Sequence, residues 1–261
     1  MNTNEPVLLR HDEDGVAWLT LNRPTQRNAL SVALLTALQD AIDAIGKDRT
    51  VKVVVIAGNG PGFCAGHDLR EMRANPGRQH YEALFAQCSR VMIGLTKLPQ
   101  PVIARVHGIA AAAGCQLVAS CDLVVAASDA RFAVNGINIG LFCSTPMVAL
   151  TRAVGRKPAM EMLMTGEFVG AERAQAIGLV NRVVPPERLD EEVIGLARQI
   201  AAKLTLAVAI GKEAFYRQAE LGLEAAYAYT GGVMTRNMLA RDTEEGIDAF
   251  LEKRPPRWDN D

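Results

Sequence analysis

The order of apolar and polar positions predicts alternating strands and helices through the first half of the chain. Val7–Arg10 and Val16–Leu21 are short strand-like runs joined by the acidic turn Asp12-Glu-Asp-Gly15, and Asn22-Arg-Pro24 ends the second run. From Ser31 to Ile45, Leu34, Leu35, Leu38, Ile42 and Ile45 recur at helical spacing. Val51–Ala57 is an unbroken, mostly β-branched run, the pattern of a strand buried on both faces. A helix over about Tyr81–Leu95 leads to strands at Val102–Val106 and Leu123–Ala127, with an alanine run and a short helix between them. This order predicts an α/β core.

After Arg156 the pattern turns helical. Segments near Ala159–Thr165, Ala171–Ile177 and Leu189–Ala202 are followed by Leu206–Gln218, Leu223–Asn237 and Thr243–Lys253, with one strand-like run at Leu179–Val184. A boundary near residue 204 divides a core, 1–204, from a helical appendage, 205–261.

Composition narrows the function. The chain has 261 residues, 28 basic against 29 acidic, and 5% aromatics. No overall positive field and no base-stacking surface is present, which argues against a nucleic-acid partner. No stretch reaches 18 uninterrupted apolar residues, so no membrane span is expected. Five cysteines, an odd number and mostly in apolar runs, read as reduced core thiols in a cytoplasmic protein. The four histidines lack zinc-type spacing, so no metal is expected. Phe63 stands where a dinucleotide fingerprint starting at Gly58 needs glycine, and no phosphate-loop motif occurs.

Two stretches offer the backbone itself as reagent. In Gly66-His67-Asp68-Leu69-Arg70-Glu71, Asp68 and Glu71 have capping-box spacing, so a helix should open at Asp68 with free amides before it. In Gly108-Ile-Ala-Ala-Ala-Ala-Gly114-Cys-Gln116, small residues before a helix allow close approach of a ligand or of another backbone. Two such amides converging on one oxygen would form an oxyanion hole. Both stretches also suit plain helix caps and tight packing.

Four ordered motifs together resemble the crotonase, or enoyl-CoA hydratase/isomerase, family: Asn22-Arg-Pro24…Asn28-Ala-Leu30, Phe63-Cys-Ala-Gly-His-Asp-Leu69, Gly108…Gly114-Cys-Gln116…Cys121-Asp122, and Ala171…Gly178-Leu-Val-Asn181. The resemblance spans about residues 7 to 258. It implies a spiral of ββα turns, a C-terminal helical region that forms trimers or dimers of trimers, and an acyl-CoA substrate with no separate cofactor. It places the oxyanion amides at His67 and Ala113. His67, Asp68, Leu69 and Arg70 would line the coenzyme A channel, and Phe250 and Lys253 would reach coenzyme A from the last helix. In that reading Asn135, Asn138, Cys143, Ser144 and Gln116 are the polar side chains expected around the acyl pocket.

The departure from the family is as informative. Hydration of an enoyl thioester needs acid/base work on one water, supplied in the family's hydratases by two glutamates. Those positions are Gln116 and Gly136 here, a neutral amide and no side chain at all. Between Pro101 and Pro146 the only acids are Asp122 and Asp129. Gly140-Leu-Phe-Cys-Ser-Thr-Pro146 and Arg241-Asp…Gly246-Ile-Asp-Ala-Phe250 are similar to one branch whose members carry the hydratase name without the full glutamate pair. The expected function is therefore an enzyme of fatty-acid metabolism acting on an acyl-CoA through two amides. Decarboxylation of a malonyl-type CoA and non-catalytic acyl-CoA binding are the alternatives.

Overall fold

A computed structural model describes residues 5–258. The chain opens with a hairpin of β1 (Leu8–Glu13) and β2 (Val16–Leu21). The acidic turn is tighter than expected: Asp12 and Glu13 stay in the strand, and only Asp14 and Gly15 turn, both at positive φ. An Asp-Gly pair at two positive φ values matches the right-handed twist of the flanking strands, so the strands extend up to it.

Helix α1 (Val32–Ile45) starts at Ser31, whose hydroxyl accepts the Leu34 amide, and leads to β3 (Val53–Gly58). Then come α2 (Leu69–Ala74), α3 (Arg78–Lys97), β4 (Val102–Val106), β5 (Ile109–Ala111), α4 (Ala113–Ser120) and β6 (Leu123–Ala127). The next elements are β7 (Arg131–Ala133), α5 (Pro146–Ala153), α6 (Arg156–Thr165), β8 (Val169–Gly170), α7 (Ala171–Ala176) and β9 (Arg182–Val184). Four helices finish the chain: α8 (Leu189–Ala201), α9 (Thr205–Gln218), α10 (Leu223–Met238) and α11 (Arg241–Leu251). The strands β7 and β8 are too short to leave a period in the sequence, and with α5 they add to the expected elements.

The large sheet has the order β1-β2-β3-β4-β6-β9, antiparallel at the hairpin and parallel thereafter. A second layer holds β5-β7-β8, and single parallel bridges Cys64–Ala110 and Leu30–His67 extend it. Each turn of the chain thus runs from a strand of the large sheet to a step in the second layer, then into a helix. This is the spiral of ββα turns expected above. β3 is buried along its whole length because both faces are covered. Val54 and Ile56 pack into the interior with α1 and α3, while Val53 and Val55 meet Leu189, Val193 and Ala197 of α8.

Candidate functional site

The first wall of the site is the loop between β3 and α2, and it is pinned from a distance. Asn28, fully buried at φ +55°, accepts the Arg23 amide at 2.8 Å and donates to the carbonyls of Asn59 and Gly62 at 2.8 and 2.9 Å. The Arg23 guanidinium donates to the Ala29 carbonyl and, at 2.9 Å, to Asp68. Asp68 caps α2 by accepting the amides of Arg70 and Glu71. Burial pushes the Asp68 carboxyl up, but Arg23 and those amides outweigh it and hold it below the usual carboxylate range.

Only half of the expected capping box forms. Glu71 does not reach back to Asp68; its carboxylate accepts the Val32 amide at 3.0 Å and so caps the first turn of α1. The second acid of the box has been drawn to a neighbouring helix whose own first amide needed an acceptor.

The second wall is the start of α4. A Cβ on Gly114 would overlap the Cys64 carbonyl oxygen, so the absence of a side chain lets α4 abut the 64–67 loop. Gly66, at φ +100°, passes over the same helix end; a Cβ there would stand 3.0 Å from the Ala111 oxygen and 3.3 Å from the Ala113 nitrogen. Ala112 enters the helix at φ +49° and ψ −117°, with its amide on the Ala133 carbonyl. The next amide, that of Ala113, opens the helix. Among the described residues, neither the Ala113 amide nor the His67 amide has a hydrogen-bond acceptor. Two free amides on adjoining segments can receive one oxygen as negative charge develops on it. Such a donor contributes on the order of 3 kcal/mol.

The side chains around this pair are neutral. Both ring nitrogens of His67 are buried without hydrogen-bond partners, and the ring meets Phe85 edge-on at 5.6 Å. Burial lowers the His67 pKa, against an opposing pull from the Leu30 carbonyl, so the ring is uncharged at neutral pH. Gln116 is 4% exposed, one helical turn beyond Ala113, and its Oε1 is unpartnered. Gly136 donates its amide to the Cys143 sulfur at 3.3 Å. A Cβ on Gly136 would strike the Leu141 carbonyl and stand 2.9 Å from that sulfur. The space a glutamate would need is therefore filled by the 141–143 backbone. Asn135 is half-buried, two residues beyond Ala133, whose strand pairs in register with β5.

The structure thus brings His67, Ala113 and Gln116 together, with Asn135, Gly136 and Cys143 on the adjoining turn. Leu69 and Arg70 lie exposed on α2 next to Asp68. Phe250 and Lys253 stand apart, at the exposed end of α11, which packs on α10. All five cysteines are buried. Burial pushes the thiols of Cys64, Cys88 and Cys115 up to about 12 and raises those of Cys121 and Cys143, so none is a thiolate at neutral pH. Among the described residues no cluster of three or more His, Cys, Asp or Glu could hold a metal. Sequence reasoning missed Arg23, Asn28 and Phe85 as parts of this site. Asn28, a polar residue directly before Ala-Leu in a buried turn, was the signal available.

Comparison with known proteins follows the same lines. The sequence model of the enoyl-CoA hydratase/isomerase family matches residues 11–261. The human protein named "Enoyl-CoA hydratase domain-containing protein 3, mitochondrial" is 48% identical over 248 residues, covering 95% of this chain and 82% of its own length. The rat protein of that name is 45% identical over 98% of this chain and 85% of its own. The crystal structure of the human protein has a TM-score of 0.94, covering 97% of this chain and all of the other. A crystal structure of an enoyl-CoA hydratase from Mycobacterium smegmatis has a TM-score of 0.96 at 60% identity, covering 97% and 99% of the two chains. These relatives carry the enoyl-CoA hydratase name, and the fold is that of the crotonases. The expectation of a cytoplasmic protein is overturned by these names, since the human and rat relatives are both called mitochondrial. Reduced core thiols separate reducing from oxidising compartments, and they do not tell one reducing compartment from another.

Proposed function

The chain belongs to the enoyl-CoA hydratase/isomerase family, and from that premise we propose that it acts on an acyl-CoA thioester in fatty-acid metabolism. In this reading the thioester carbonyl oxygen sits between the amides of His67 and Ala113, which stabilise the enolate formed when charge moves onto it. The observation that carries the reading is the pair of free amides that Gly66 and Gly114 bring side by side. Coenzyme A enters as part of the substrate, along Asp68, Leu69 and Arg70. Phe250 and Lys253 reach it only from a neighbouring copy. Exposed apolar side chains on the last three helices, among them Leu223, Tyr227 and Leu239, support assembly into trimers or dimers of trimers. A solution mass of three or six times 28.1 kDa is expected.

Hydration through a glutamate pair does not fit. Gln116 cannot take up a proton, and at Gly136 a glutamate is excluded by the Leu141 carbonyl. This favours decarboxylation of a malonyl-type CoA as the second reading, because loss of CO2 makes the enolate without a base. The test is loss of enoyl absorbance with crotonyl-CoA, with binding of the same ligand followed in parallel. Binding without turnover is expected, and His67→Pro, which deletes one amide, should weaken crotonyl-CoA binding about fivefold and free coenzyme A less. Rapid hydration by the unaltered protein would overturn the absence of acid/base groups. Affinities for crotonyl-CoA and free coenzyme A that change equally, or not at all, in His67→Pro relative to the unaltered protein would overturn the assignment of the carbonyl site.

A further inference from the structure

At the end of the large sheet opposite the free amides lies a cleft of about 350 Å³. It is bounded by the loop before β3, the turn from α3 into β4, the end of α8 and the first turn of α9. The carbonyl site follows the last residue of β3, whereas the cleft meets the chain at Val51, before the first. The strand between them, at about 3.3 Å per residue, keeps the two sites more than about 16 Å apart. A cleft of this size holds a small molecule.

Its walls carry unbalanced charge. Lys47, Arg49, Lys52 and Lys203 line it, and among the described residues none of their side chains makes a hydrogen bond or an ion pair. Two acids share the walls. Asp48 already accepts the Thr50 amide and hydroxyl at 2.9 and 2.6 Å and Arg10 at 3.4 Å, and Asp242 is buried. The start of α9 adds partial positive charge. No side chain caps it, and the amides of Thr205, Leu206 and Ala207 have no acceptor among the described residues. Gln100, 7% exposed, lines the same cleft. Its Nε2 donates to the Ile45 and Asp48 carbonyls at 3.0 and 3.2 Å, which leaves its Oε1 buried without a donor. A buried acceptor of this kind calls for a partner. Between the charges the floor is apolar, from Val51, Pro99 and Leu206.

We propose that this cleft binds a nucleoside phosphate, with the phosphates between Arg49, Lys203 and the start of α9 and the base on the apolar floor. A single carboxylate would leave most of the four cations unmatched, and an inorganic anion would leave the floor uncovered. A nucleoside phosphate supplies several negative charges for charge-assisted hydrogen bonds and a flat apolar face. It also carries ribose hydroxyls, donors of the kind that Gln100 Oε1 lacks. The site is separate from the acyl-CoA reading and does not depend on it.

The test is calorimetric titration of the full chain with ADP, inorganic pyrophosphate and adenosine, at about 0.15 M salt, where charges more than about 8 Å apart are screened. ADP should bind at least about tenfold tighter than either of its parts, because charge and apolar floor then act together. Arg49→Ala combined with Lys203→Ala removes one cation from each side of the cleft, and both side chains are exposed, so folding is spared. The double variant should weaken ADP at least about tenfold and leave crotonyl-CoA affinity within about twofold. No binding of ADP, or ADP affinity unchanged in the double variant, would overturn the proposal. Pyrophosphate as tight as ADP would overturn the nucleoside part and leave an adventitious ion only. Loss of crotonyl-CoA together with ADP in the double variant would overturn the separation of the two sites. ADP binding in a protein that does not bind crotonyl-CoA would uphold this site and overturn the acyl-CoA reading alone.

Discussion

His67 combines an amide without an acceptor among the described residues with a ring buried against Phe85. The ring's lowered pKa has a consequence for stability. The unfolded chain takes up a proton near pH 6.5, whereas the folded chain does so only at lower pH. Between those two values the unfolded state binds more protons, so stability is complete above about 6.5 and falls as pH drops through the window. Urea unfolding at pH 7.5 and pH 5.0 should show this loss, and His67→Gln should flatten it. Equal slopes in the two proteins would count against a buried neutral ring. At this scale the sequence was readable wherever a residue's role is local. The Asp68 cap follows from helix-cap logic, whereas the roles of His67 and Ala113 come only with the family resemblance. Arg23 was not readable, because its ties to Asp68 cross 45 positions and nothing in the one-dimensional pattern marks their ends. Glu71 was misread for the same reason, its acceptor role lying 39 positions back at Val32.

Among the elements, α4 is set apart by how it begins. Ala112 holds φ +49° with a Cβ in place, a conformation that favours glycine and costs roughly 1–3 kcal/mol of strain. Ala112→Gly should therefore stabilise the protein by about 1 kcal/mol, the relief of strain exceeding the added freedom of the unfolded chain. Thermal unfolding reads this as a rise of a few degrees, and a fall would show that the alanine methyl contributes packing worth more than the strain. Strands and helices with strong periods, such as β3 and α1, were visible in the sequence within two residues of their ends. β7 and β8 were not, because strands of three and two residues exist only by pairing with β5 and with each other. The alanine run before α4 was seen as permissive, but its positive φ could not be, since alanine gives no signal for it.

Across the whole molecule, one ammonium group joins the helical C-terminal region to the spiral. Lys212 of α9, buried, donates to the carbonyls of Leu95 and Gln100 at 2.8 and 2.9 Å and to Asp122 at 2.6 Å. Tyr216, one turn on, donates to the other Asp122 oxygen at 2.8 Å, and Asp122 also accepts the Val102 amide. Lys212→Met leaves a half-enclosed carboxylate and two carbonyls without this donor and should cost about 3 kcal/mol, read as a shift of the denaturation midpoint. A change under about 0.5 kcal/mol would show the network to be dispensable. Nothing in the sequence marks this tie between α9 and the spiral. The donors Lys212 and Tyr216 lie about 90 positions downstream of Asp122, beyond any local pattern. That separation also orders events during synthesis. A chain emerging from the ribosome completes the strands around Asp122 long before α9 exists. Until Lys212 and Tyr216 follow, the carboxylate keeps its water and the spiral stays unsealed on that side. Helix α9 is therefore made well after the strands whose flank it closes.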